Sequence, residues 1–179
     1  MEPDFYRLVP PEVTIHTMRM WMWRGADPQG RVGDHYRRMN QDIEEAARYV
    51  ASANVELIVY ACTGGSFVGG LGAEQEVIDR IENIASVPAI STSFAALASL
   101  RQLSLRRLSV ATPYSDAINQ QLEAFLNGNG FEVLSVKGNE TLRVGKNQAG
   151  VPNDQDPQTI LDFVLQMVHP ESEGVFCSC

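Results

Sequence analysis

Residues 55–70 read VELIVYACTGGSFVGG: an apolar, partly β-branched run of strand length, broken at once by a cysteine, hydroxyls and glycines. A continuous apolar run of this kind fits a parallel strand covered on both faces. Glycines and hydroxyls directly after it mark the turn where a strand hands over to a helix. The fold class therefore depends on whether the pattern recurs along the chain.

It does recur. Upstream, VTIHTMRM (13–20) reads as a strand, and DHYRRMNQDIEEAARYVAS (34–52) repeats apolar residues at helical spacing through Met39, Ile43, Ala46, Ala47 and Val50. Downstream come a helix near 73–86, the short strand PAIS (88–91), a helix near 93–103 and the strand RLSVAT (107–112). Ser93 and Ser115 occupy expected N-cap positions. A helix over 115–127 stops at NGNG, FEVLSVKG (131–138) reads as a strand, Asp156-Pro157 opens a helix, and GVFCSC (174–179) is a last strand. Strands alternating with helices predict an α/β fold with mainly parallel sheets and helices on both faces. The chain divides near residue 92 into lobes of similar element order, 1–91 and 92–179. The polar stretch 143–157 is expected to be a long loop, either mobile or covering a site.

Composition narrows the function. The 179 residues carry 14 Lys and Arg against 22 Asp and Glu, a net charge of -8. Nucleic acid and anionic membrane surfaces are thereby disfavoured as partners, because little here would displace counterions from phosphates. The pairs Arg37-Arg38 and Arg106-Arg107 read as solvated charge. No apolar run reaches the roughly 18 residues of a spanning helix, and the acidic, proline-broken N-terminus is unlike a signal peptide, so a cytoplasmic location is expected. Three cysteines without a secretory signal argue against a disulfide framework, and His16, His35 and His169 show no metal-ligand spacing with them.

In open parallel sheets, ligands lie beyond the carboxyl ends of the strands. Those ends carry ACTGGS (61–66), STS (91–93), TPYS (112–115) and CSC (177–179). Hydroxyls and backbone N–H groups at such junctions can hold an anion without a basic side chain, and the same field favours a thiolate. Cys62 can be a buried apolar filler or a nucleophile, and Thr63-Gly64-Gly65-Ser66 behind it favours the nucleophile. Cys177 reads as core. Cys179 matches the strand-end position of Cys62 and stays open between core and site. Tyr114 can serve packing or donate to a carboxylate. His16 reads as structural, and MRMWMW (18–23) as core or an oligomer contact. The lysine of a P-loop, the third glycine of a dinucleotide fingerprint and a G-x-S-x-G elbow are all missing.

YACTGGSFVGG (60–70), ATPYSDAINQQLEAFL (111–126), the terminal Ser-Cys and the early segment 1–21 together resemble the maleate cis-trans isomerase and arylmalonate decarboxylase family, within the aspartate/glutamate racemase superfamily. That resemblance implies two pseudo-symmetric α/β lobes, a site between them, no cofactor, a small dicarboxylate as substrate and a homo-oligomer. It implies Cys62 as the nucleophile that adds to maleate on the way to fumarate and Cys179 as partner acid/base. Thr63 and Tyr114 are implied as carboxylate contacts, with Ser66 a further one. Cysteine at both positions favours isomerase or racemase over decarboxylase. Gly64 departs from the serine of several relatives. Relatives also extend further at both ends, so the lobes are expected to be incomplete and the chain weakly active or inactive as it stands, a noncatalytic fragment being the other outcome.

Overall fold

A computed structural model describes residues 2–22, 33–139 and 156–178. All of its strands run parallel, in two sheets. The first sheet pairs β1 (Ile58–Tyr60) with β2 (Ala89–Ser91), Ile58 lying opposite Ala89 and Tyr60 opposite Ser91. In the second, β3 (Arg107–Thr112) lies between β4 (Glu132–Gly138) and β5 (Gly174–Cys177). Five of the six β3 residues are buried, as the centre of a sheet covered on both faces requires.

The helices supply that cover. In chain order they are α1 (Glu2–Leu8), α2 (Asp34–Met39), α3 (Ile43–Ala51), α4 (Thr63–Phe67), α5 (Ala73–Ala85), α6 (Thr92–Gln102), α7 (Asp116–Gly128) and α8 (Pro157–Met167). One apolar cluster joins Ile43 and Ala47 of α3 and Val77 and Ile81 of α5 to Ile58 and Tyr60 of β1. A second gathers Leu97 and Leu100 of α6 and Leu122, Phe125 and Leu126 of α7 around Leu108 and Val110 of β3. Phe67 and Val68, from the stretch after Cys62, belong to this second cluster. The peptide that carries the cysteine is thus anchored in both halves of the chain.

The alternation read from the sequence holds from residue 58 onward, with element ends shifting by a few residues. Three expectations need correction. Residues 13–20 form no strand: they sit in no ladder, Val13 and Met18 are exposed, and His16 is exposed as well. β-branched composition supplies a propensity, but a strand also needs a neighbour for its N–H and C=O groups. This arm is instead tied back by Arg19, whose guanidinium donates to Glu2 of α1 at 2.9 and 3.2 Å. Of the Met and Trp cluster, Met20 packs on the first core while Trp21 is exposed, and position 23 lies outside the described residues.

The expected helix over 34–52 is interrupted by a 3-10 turn, Asn40–Asp42, between α2 and α3. The N-cap of α6 is Ser91, whose hydroxyl accepts from Phe94 N–H at 3.2 Å, and Ser93 is the second residue of the helix. Ser115 holds the N-cap position of α7 without a side-chain cap bond, whereas Asp156 caps α8 by accepting from Thr159 N–H at 2.9 Å. Most of the stretch 143–157 lies outside the described residues.

Candidate active site

Cys62 is the N-cap residue of α4, in an extended conformation and partly exposed, just beyond the end of β1. α4 is a single short turn of five residues because Gly64 and Gly65 are poor helix formers and Gly69-Gly70 follow. The two glycines are required by close approach. A Cβ at Gly64 would overlap the Tyr36 ring and lie 2.6 Å from its hydroxyl oxygen, and a Cβ at Gly65 would overlap the Tyr60 hydroxyl. Gly64 therefore differs from a serine for a steric reason visible here: the phenol of Tyr36 fills the place of the side chain.

Two tyrosines thus flank the cysteine loop, and the sequence reading singled out neither. Tyr60 is buried, and its hydroxyl donates to Asn40 Oδ1 at 2.5 Å. Asn40 Nδ2 in turn donates to the Gly65 carbonyl at 2.8 Å. Burial pushes the Tyr60 phenol far above its usual pKa, and the charge of and hydrogen bond to Cys62 push it the same way. The available signal is the position of Tyr60, the last residue of β1 and two before Cys62; nothing local reveals Asn40, twenty residues upstream of Tyr60.

Ser66, expected to contact substrate, has another task. It is fully buried: its hydroxyl donates to the Thr63 carbonyl at 2.9 Å, its oxygen lies 2.7 Å from Ser93 Oγ, and it accepts from Ser93 N–H at 3.2 Å. Its hydrogen-bonding capacity is spent on tying α4 to α6. Thr63 is partly exposed, next to Cys62, and its carbonyl accepts from both Ser66 and Ser93. Thr92 Oγ1 donates to the Tyr60 carbonyl at 2.9 Å, joining the ends of β1 and β2.

The end of the second sheet is organised around Thr112. Its hydroxyl donates to Asn119 Oδ1 at 2.6 Å and accepts from Tyr114 N–H at 3.0 Å, fixing the Thr-Pro-Tyr turn on α7. Its carbonyl accepts from Asn139 N–H at 3.0 Å, and the Ala111 carbonyl accepts from Ser178 N–H at 2.9 Å. The ends of β4, β3 and β5 are thereby aligned. Tyr114 is buried, with its hydroxyl 3.4 Å from Ser178 Oγ. Its ring stands 5.8 Å from that of Phe67, so the turn that carries Tyr114 and the helix that follows Cys62 share one aromatic contact.

Cys177, expected in the core, is exposed. Along β5 it is Phe176 that packs inward, and a side chain one residue away points to the opposite face. Cys179 lies outside the described residues. The basic pairs are more engaged than solvated charge. Arg37 donates to the Val68 carbonyl at 3.1 Å, Arg38 pairs with Asp34, and Arg107 pairs with Glu173. Among the described residues no group of three His, Cys, Asp or Glu is placed to hold a metal ion, and no helix is long and apolar enough to cross a membrane.

Comparison with known proteins places the fold and the family. The family model for arylmalonate decarboxylase matches residues 8–179. A maleate isomerase of Geobacillus stearothermophilus is 22% identical over 179 residues, covering 95% of this chain and 66% of its own length. The crystal structure of the maleate isomerase Iso from Pseudomonas putida S16 superposes with a TM-score of 0.81 at 23% identity, covering 98% of this chain and 69% of that one. A Nocardia farcinica maleate cis-trans isomerase variant, solved with a covalently bound succinylcysteine intermediate, gives a TM-score of 0.78 at 21% identity, covering 97% and 69%. The chain thus spans about two-thirds of the length of these proteins.

Proposed function

Because the chain belongs to the arylmalonate decarboxylase family, we propose that it carries the cysteine half of a cofactor-independent isomerase site for small dicarboxylates, with maleate as substrate and fumarate as product. The observation that carries this reading is the setting of Cys62: a partly exposed thiol at the end of a parallel strand, on a glycine turn, beside a buried phenol. A cysteine used only as filler has no need of that setting. In a Nocardia farcinica relative of the same fold, a succinyl group is bonded to a cysteine, which is the adduct this chemistry forms from maleate.

The steps balance without a cofactor. The thiolate of Cys62 adds to one olefinic carbon, making a C–S bond, and the π pair moves to the neighbouring carbon, where the adjacent carboxylate delocalises it. Cys179 is the group proposed to lend that carbon a proton and withdraw it again. The central bond, now single, rotates. The pair then re-forms the double bond, the C–S bond breaks, and fumarate leaves with the thiolate restored. Thr63, next to Cys62, and Tyr114, at the end of β3, are the proposed carboxylate contacts. We read 1–91 and 92–179 as the two lobes that bring them together.

Fumarate formation from maleate, followed by ultraviolet absorbance, tests the reading. Turnover, however weak in the chain as it stands, that disappears with Cys62→Ala is the expected result. No turnover by the unsubstituted chain, or turnover that survives Cys62→Ala, overturns it. Exchange of an amino-acid α-proton with deuterated solvent would assign the site to racemisation instead.

A further inference from the structure

We propose that Asn40 is the positioning residue of the cysteine turn: its side-chain amide bonds Tyr60 before Cys62 and Gly65 after it, and so fixes where the thiol stands. The inference rests on the reading of Cys62 as the reactive thiol and adds the group that holds it in place.

The turn is poorly able to hold itself. α4 has five residues, among them the adjacent Gly64 and Gly65, and glycine loses more freedom on ordering than any other residue. A helix this short also leaves carbonyls without backbone donors. Ser66 N–H donates to the Cys62 carbonyl at 3.2 Å and Val68 N–H to the Gly64 carbonyl at 3.1 Å, but the chain then reverses, Gly70 N–H closing on the Phe67 carbonyl at 2.8 Å. The Gly65 carbonyl receives Asn40 Nδ2 at 2.8 Å. The other end of the amide, Oδ1, accepts the proton of the Tyr60 hydroxyl at 2.5 Å, at the last residue of β1. A carbonyl can only accept, so the amide sits one way round, and its two bonds span Cys62 from β1 to α4.

Asn40 is itself held from outside the turn. It opens the 3-10 turn Asn40–Asp42 that separates α2 from α3. Its own carbonyl accepts from the Arg80 guanidinium at 2.6 Å, and Arg80 of α5 is gripped by both carboxylate oxygens of Glu44 of α3 at 2.7 and 2.9 Å. The place of the amide is therefore set by α3 and α5, not by the loop it holds. Gly65 completes the fit: a Cβ there would overlap the Tyr60 hydroxyl and stand 3.1 Å from Asn40 Oδ1, so glycine is what lets strand end, amide and turn close together. The arrangement supplies a fixed position for the thiol, and a misplacement of about 1 Å at a bond-forming step can cost about a hundredfold in rate.

The test separates a lost donor from a lost fold. Asn40→Asp keeps the size and the acceptor for Tyr60, but when ionised it has no proton for the Gly65 carbonyl; protonated, at about pH 5, it regains one. In hydrogen exchange of the full chain, corrected for the intrinsic effect of pH, the Ser66 and Val68 amides of Asn40→Asp are expected to be about tenfold less protected at about pH 8 and restored at the lower pH. Asn40→Ala should stay unprotected at both, and the amides of β3 should not change. With maleate at about pH 8, Asn40→Asp should form the succinyl adduct on Cys62, read by peptide mass spectrometry, about tenfold more slowly at saturation, with the half-saturating concentration little changed. A loss in β3 as deep as in α4, a loss in Asn40→Asp that persists at the lower pH, or exchange unchanged in both variants overturns the proposal. Should Asn40→Asp not fold at the higher pH, Tyr60→Phe decides, because it leaves the amide oxygen without its donor: α4 exchange that does not rise overturns the proposal. The two readings fail separately. A Cys62 that forms no adduct in the unsubstituted chain sinks the reading of the cysteine, whereas an adduct that forms at the same rate without Asn40 sinks only this one.

Discussion

Phe67 and Tyr114 hold their rings 5.8 Å apart inside the second core, although one follows the cysteine beyond the first sheet and the other stands just past the central strand of the second. Through this contact the Cys62 turn and the Thr-Pro-Tyr turn become neighbours. Phe67 also lies 6.1 Å from Phe125, so it plugs α7 as well. Phe67→Ala should cost about 3–5 kcal/mol, the range for a fully buried aromatic, measured as a fall in the urea midpoint. Phe67→Leu, which retains most of the volume, should cost much less. Equal losses for both would show that the site does not depend on filling this position.

Ser66 is read here as a tie between α4 and α6, not as a substrate contact. Ser66→Ala would leave Ser93 N–H, buried at this junction, without its acceptor, and should destabilise the chain by about 1–3 kcal/mol. The kinetic expectation is a stability loss without a selective rise in the KM for maleate. A rise in KM at unchanged stability would restore Ser66 to the substrate side.

Gly65 and Tyr60 should be coupled. Gly65→Ala places a methyl group against the buried phenol oxygen and should cost about 1–3 kcal/mol. Removing that oxygen with Tyr60→Phe relieves the overlap, so the double variant should lose clearly less than the sum of the singles in a double-mutant cycle of urea denaturation. Additive losses would show that the loop shifts away from the phenol instead of resting on it.

His35 gives a dependence on pH. Burial lowers its pKa below the ordinary value, and Asp34 offsets this only in part. The unfolded chain therefore binds the proton more readily than the folded one. The contribution is fully present above the unfolded value near 6.5 and is lost as pH falls through and below it. Urea midpoints at pH 7.5 and 5.5 should differ more for the unsubstituted chain than for His35→Gln. An equal drop in both would assign the acid sensitivity to other groups.

Much of the fold could be read from local pattern. β3 and its flanking helices fall where RLSVAT and its neighbours place them, because a strand buried on both faces is a short run of mostly apolar and small residues and the adjoining caps and glycines are local signals. The segment 13–20 misleads for the opposite reason: its composition suits a strand, but pairing is a property of neighbours. Ser66 and Cys177 follow the same logic. A hydroxyl looks available and a cysteine looks buried until the elements packed against them are known.

By itself the sequence determined the parallel α/β class, the placement of Cys62 on a glycine turn at a strand end, and the Thr-Pro-Tyr turn, since each is encoded within a few consecutive residues. Only the tertiary structure decided that Phe67 links the two turns, that Ser66 braces the loop, and that Asn40 ties the Tyr60 hydroxyl to the Gly65 carbonyl behind Cys62. These are contacts between residues far apart in the chain, and their partners are set by how helices and sheets pack, which no short window of sequence contains.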